Sequence, residues 1–98
     1  MGQIKKLQKE VHRNAINKGW YDQPRNAGEL ISLMHSELSE GLEALRGPDN
    51  KNNLGEEMAD TVIRIMDACE YWGIDLEKQI LDKVEKNKLR PRKHGKKF

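Results

Sequence analysis

The chain has one cysteine, Cys69, in 98 residues, so no intramolecular disulfide can staple it, and a reducing, cytoplasmic setting is the expectation. Aromatic residues make up 5% of it, too few for an aromatic-lined nucleic-acid platform. No long apolar run occurs, so no membrane-spanning helix is expected. The opening "MGQIKKLQKEVHR" lacks an apolar signal core, and Lys6 stands where a myristoylation motif needs Ser or Thr. Three prolines leave long stretches free to be helical.

Charge is abundant. Charged residues are 35% of the chain, almost equal to the 36% that are hydrophobic. That suits one small domain, residues 1–98, which buries little surface alone and gains a core by pairing with another copy. The net charge of +2 conceals an asymmetry. From Lys83 to Phe98 eight cations face one acid, Glu85, for +7, leaving −5 in the rest. A basic tail, about residues 90–98, on an acidic body points to an anionic partner, or to a ligand held between the two through cations. A solvated, extended terminus is the plain alternative.

The periodicity is helical throughout. Ile4, Leu7, Val11 and Ala15 share a face of a first helix that Gly19 can end. "WYDQPRNAGE" reads as a loop in which Asn26 can cap a second helix, Ala27 to Arg46, stopped by Gly47-Pro48. After the turn-rich "GPDNKNN" a third helix runs from about Leu54 to Trp72. Asp75 then caps a fourth, Leu76 to Leu89, before Pro91. The fold class is therefore all-α, a bundle of about four helices with antiparallel neighbours.

The acids fall in pairs. Glu37 and Glu40 lie beside the apolar stripe of Ile31, Met34, Leu38, Leu42 and Leu45, in a second row with Leu33 and Ala44. Glu57 and Asp60 repeat the spacing on the third helix, off the side carrying Leu54, Met58, Val62, Ile65, Cys69 and Trp72. Residues three apart are neighbours on a helix. Sixteen residues separate Glu40 from Glu57, enough for two antiparallel helices to bring all four carboxylates together. Such a set selects hard divalent ions, magnesium with manganese as the alternative, over zinc. A di-iron site would need Glu-x-x-His on two helices, which neither pair provides. The competing reading is ordinary surface ion pairs, such as Asp60 with Arg64.

"SELSEGLEALR", "EEMADTVIRIMD" and "KVEKNKLRPRKHGKKF" together resemble the MazG-type all-α nucleoside triphosphate pyrophosphohydrolases. Their signature is Glu-x-x-Glu, a spacer, Glu-x-x-Asp, then Lys-x-x-x-Asn, matched here by Glu37, Glu40, Glu57, Asp60, Lys83 and Asn87. The resemblance implies magnesium-dependent hydrolysis of (deoxy)nucleoside triphosphates to the monophosphate and pyrophosphate, a role in nucleotide-pool cleansing, and a homodimer or dimer-of-dimers whose helices complete four-helix bundles. Under it, Glu37, Glu40, Glu57 and Asp60 hold the metal, Glu37 or Glu40 acts in catalysis, and Lys83 and Asn87 contact phosphate and sugar. Arg64 would orient a metal carboxylate or meet a phosphate, unless it pairs with Asp60 or Asp67. Trp20 would stack on the base, unless it caps the core. His12 and His35 show no metal-ligand spacing, and His94 lies in the basic tail. The rival function is a basic-tailed helical module that binds nucleic acid or another partner without catalysis; it leaves the acids unexplained, and an acidic body repels nucleic acid.

Overall fold

The computed structural model describes residues 2–47 and 50–97. Met1, Pro48, Asp49 and Phe98, together with the side chains of residues 50–53 and of His94, lie outside the described residues. The described chain forms four helices, α1 (Gln3–Asn17), α2 (Ala27–Arg46), α3 (Asn50–Tyr71) and α4 (Leu76–Lys88), followed by one 3-10 turn at Arg92–Gly95. It is all-α. Among the described residues, no helix is long and apolar enough to cross a membrane.

The boundaries follow local chemistry. Asn26 Oδ1 accepts from the backbone N–H groups of Gly28 and Glu29 at 2.8 and 3.3 Å, capping α2. Asp75 does the same for α4, accepting from Lys78 N–H at 3.1 Å. At the far ends, Gly19 and Gly73 take φ +89° and +73°. Each closes a six-to-one turn: Trp20 N–H donates to Ala15 O, and Ile74 N–H to Cys69 O. Helix α3 begins at Asn50, earlier than the apolar period suggests, because "NKNN" adds about one helical turn without adding apolar residues. The tail, expected to be extended, contains the 3-10 turn.

Helix α3 is the central element, packed against α2 and α1, whereas α4 packs on α1. Lys5 makes that last junction: its backbone N–H donates to Glu77 Oε1 and its Nζ to Asp75 Oδ2, both at 3.1 Å. The α1–α3 seam is held by a buried amide. Gln8, 3% exposed, donates from Nε2 to Glu70 Oε1 and to Ile74 O, each at 2.9 Å.

The core differs from the sequence expectation. Its buried apolar members are Leu30, Met66, Ala68 and Cys69. The expected stripe on α2 faces outward: Ile31, Leu38, Leu42 and Leu45 are exposed. The α2 residues that turn inward are Leu30, Glu37 and Gly41. On α3, Met58 and Val62 are likewise exposed, and Thr61 and Met66 are buried in their place. Helix α4 buries none of its residues, and Ile80 and Val84 are open. The α2–α3 contact is rotated toward Gly41 because a glycine lets the helices approach. A Cβ there would stand 3.0 Å from Met58 Cε and 3.7 Å from Glu57 Cβ. Gly41 thus lies directly against Met58, Glu57 and Leu54 of α3, at the level of the acids.

Candidate metal centre and adjoining cleft

Carboxylate oxygens of Glu37, Glu40 and Glu57 lie within 4.8 Å of one another across the α2–α3 contact. Three of the four acids expected to meet therefore do. Asp60 stands outside this trio. It lines the neighbouring cleft together with Glu37, and its charge still acts on Glu57.

The three carboxylates have different surroundings. Glu37 is buried, and its Oε1 accepts a 2.6 Å hydrogen bond from Arg64 Nε. That guanidinium holds Glu37 below the usual carboxylate range against the opposing effect of burial. Arg64 thus pairs across the helices, not with Asp60 or Asp67 on its own. Glu40 is exposed. Glu57 is half-buried; its Oε2 is shut off from solvent and has no hydrogen-bond partner among the described residues. Desolvation, then the nearness of Glu40, pushes Glu57 up from 4.5 to about 7. Like charges in one site cannot all ionise freely without a cation.

That shift has a consequence for stability. The folded chain holds a proton on Glu57 more tightly than the unfolded chain does, so folding is favoured at low pH and the benefit is lost as pH rises from 4.5 through about 7. The Glu37 shift has the opposite sign and acts below the ordinary carboxylate value, outside this window. In the presence of chelator, the melting temperature is expected to fall between about pH 5 and pH 8. Glu57→Gln should flatten that fall. Thermal melts of both chains across the range check it.

Beside the acids opens a cleft of about 270 Å³ between α1, the α1–α2 loop, α2 and α3. Asn14, Trp20, Tyr21, Arg25, Arg64 and Asp67 are among its lining residues, with Glu37 and Asp60 at one edge. Trp20 is not a core residue: it is 50% exposed. The guanidinium carbons of Arg25 and Arg64 stand 5.8 and 5.7 Å from its ring centroid, in cation–π range. Arg25 Nη1 donates to Trp20 O at 3.0 Å, and Arg25 Nη2 pairs with Glu29 Oε1 at 2.8 Å.

Asp67 anchors this wall. Its Oδ1 lies 2.7 Å from His12 Nδ1 and its Oδ2 accepts from the Tyr21 hydroxyl at 2.9 Å. Burial and the Asp67 carboxylate drive the Tyr21 phenol well above its ordinary range. Tyr21 packs on Tyr71 at 4.6 Å between centroids, and the Tyr71 oxygen accepts from Arg25 N–H at 3.1 Å. His12 is therefore structural here, joining α1 to α3. Sequence reasoning missed Arg25 and Asn14. Arg25 had one signal, a lone cation between Pro24 and the Asn26 cap, where a short loop aims its side chain.

Lys83 and Asn87 are not part of this cleft. They line a separate, shallow groove on α4 with Gln79, Ile80 and Val84. Within one chain they do not join the acids. Trp72 is half-buried and His35 exposed.

The donor set fits a hard divalent cation. All donors are carboxylate oxygens, one buried oxygen lacks a partner, and the exposed Glu40 leaves an open side for water or phosphate oxygens. Neither a protein-family model, nor a curated protein, nor a solved structure matches the chain.

Proposed function

We propose that this chain is a MazG-type nucleoside triphosphate pyrophosphohydrolase, magnesium-dependent with manganese as a substitute, that releases the monophosphate and pyrophosphate. The observation that carries the reading is the meeting of Glu37, Glu40 and Glu57 within 4.8 Å beside a cleft walled by Trp20, Arg25 and Arg64. A triphosphate is polyanionic, and carboxylates approach it only with cations between them. Glu37, Glu40 and Glu57, with Asp60 at the edge, would hold the metal, which when bound neutralises phosphate oxygens and acidifies a water. Glu37 or Glu40 would accept that water's proton as it attacks the α-phosphorus. Trp20 would stack on the base, and Arg64 and Arg25 would bear on phosphate charge.

The protein would act as a homodimer or a dimer of dimers. Two features support self-association: the thin apolar core, and the apolar residues of α2, α3 and α4 left open. Lys83 and Asn87, remote from the acids in their own chain, would then serve as phosphate and sugar contacts from a neighbouring copy. The role would be removal of unwanted nucleotides in the cytoplasm.

The test is product analysis. Purified protein is incubated with a panel of ribo- and deoxynucleoside triphosphates, with magnesium and with chelator. Monophosphate and pyrophosphate, formed only with the metal, are the expected products. Diphosphate and orthophosphate would place the cleavage at another phosphorus, and duplex binding without any cleavage would favour the nucleic-acid module.

A further inference from the structure

The contact between Arg64 and Glu37 sits where two tasks collide. Glu37 is one of the three acids whose oxygens converge, yet its Oε1 already accepts a 2.6 Å bond from Arg64 Nε. Glu37 has a second oxygen and further lone pairs, but a guanidinium bonded at 2.6 Å draws on the same negative charge and sets a positive charge beside the place a cation would take. The Arg64 side chain is 31% exposed, lines the cleft and lies against the Trp20 ring at 5.7 Å. It already borders the cleft while bonded to Glu37, so a turn about its outer torsions suffices to bring the guanidinium further in.

We infer that Arg64 is an exchangeable counter-charge: it neutralises Glu37 in the cation-free protein and yields that carboxylate when a divalent cation binds. Its guanidinium then turns into the cleft to meet the triphosphate. This rests on the metal-dependent reading above and adds to it a coupling between its two halves. Without cation, Arg64 keeps the buried Glu37 from standing as an unpaired charge. With cation, Glu37 has a new partner, and the freed guanidinium offers its planar fork to phosphate oxygens. The cleft thereby gains positive charge only when the acids are filled, so nucleotide and metal favour each other's binding. By linkage the coupling is reciprocal. An arginine pairing with Asp60 or Asp67 along its own helix would provide none of this.

The inference makes two predictions of opposite sign for one variant. Arg64→Gln should bind Mn²⁺ alone about tenfold more tightly than the parent chain, because a charge-assisted competitor for Glu37 is gone. The same variant should bind an α,β-methylene nucleoside triphosphate about tenfold more weakly at saturating Mn²⁺, because the phosphate contact is gone. Calorimetric titrations read both. A residue that merely braced the fold would weaken both. The parent chain gives an independent readout: the Arg64 Nε–H resonance should carry a hydrogen-bonded shift without cation and lose it on adding Mg²⁺. An unchanged resonance at saturating Mg²⁺, or an Arg64→Gln chain with equal or weaker Mn²⁺ affinity, overturns the exchange. A parent chain that binds Mn²⁺ and splits triphosphates while either of those holds loses only this inference. One that binds no Mn²⁺ loses the metal-dependent reading with it.

Discussion

Glu40→Gln is expected to lower triphosphate cleavage by about three orders of magnitude or more, with the melting temperature held or slightly raised. The two halves of that expectation have separate causes. Glu40 is exposed and its carboxylate converges with those of Glu37 and Glu57. Its negative charge helps push Glu57 up to about 7, so an isosteric neutral amide relieves repulsion in the cation-free state. The same change removes a hard, charged oxygen from the place where the cation would sit, and an amide oxygen is a far weaker donor to magnesium. Steady-state rates and thermal melts on one preparation separate the effects. A variant with parental turnover would take Glu40 out of the site. A variant that loses turnover and also melts far below the parent would show that Glu40 has a structural task unseen in the single chain. Glu37 is a poorer probe, because its replacement also strands the Arg64 guanidinium.

The second large effect concerns the outward face of α2. Leu38 and Leu42 are 48% and 49% exposed in the single chain. If each chain stood alone, replacing both with glutamate would change stability by no more than about 0.5 kcal/mol per site. If a second copy covers them, each change forfeits about half of the roughly 1.5–3 kcal/mol that full burial of a leucine gives and also forces a charge into the interface. We expect the second outcome. The double variant Leu38→Glu, Leu42→Glu should sediment as a monomer and melt at least about 6 °C below the parent, since about 1 kcal/mol corresponds to 4–8 °C in a domain of this size. Sedimentation velocity and melting curves over a range of concentrations check it. Unchanged sedimentation and stability would mean that this face meets only water.

These two residues also show what was legible in the sequence. Helix identity and most helix ends were, because they are local; the start of α3 at Asn50 was not. The bounds of α2, the caps at Asn26 and Asp75 and the stops at Gly19 and Gly73 follow from side-chain reach and backbone freedom. Which face of α2 turns inward was not. A helical wheel finds the most apolar stripe, Ile31 to Leu45, but not which neighbour covers it. Within one chain, Gly41 gives α3 its close approach on another face, where Leu30 and Glu37 are buried. Three of the four acids were legible as a group, because a spacing of three repeated on two helices converges whenever those helices pair. Partners across helices were not. The sequence leaves Arg64 a choice between a metal-site carboxylate, a phosphate and the nearby Asp60 and Asp67, and only the packed pair of helices singles out Glu37. Trp20 misleads for a related reason. Its surroundings are two arginines, one from a loop and one from α3, and no periodicity connects them.

The amide of Gln8 fixes more than a junction. A seam with so few buried apolar groups resists sliding weakly, since one rung of methyl groups resembles the next. Gln8 has two fixed acceptors, Glu70 Oε1 and Ile74 O, and shifting α1 by one turn along α3 would forfeit both while leaving the amide stranded. It works as a pawl, selecting one axial register. Because Trp20 leaves the end of α1 and Arg64 projects from α3, that register is also what sets the indole opposite the guanidinium.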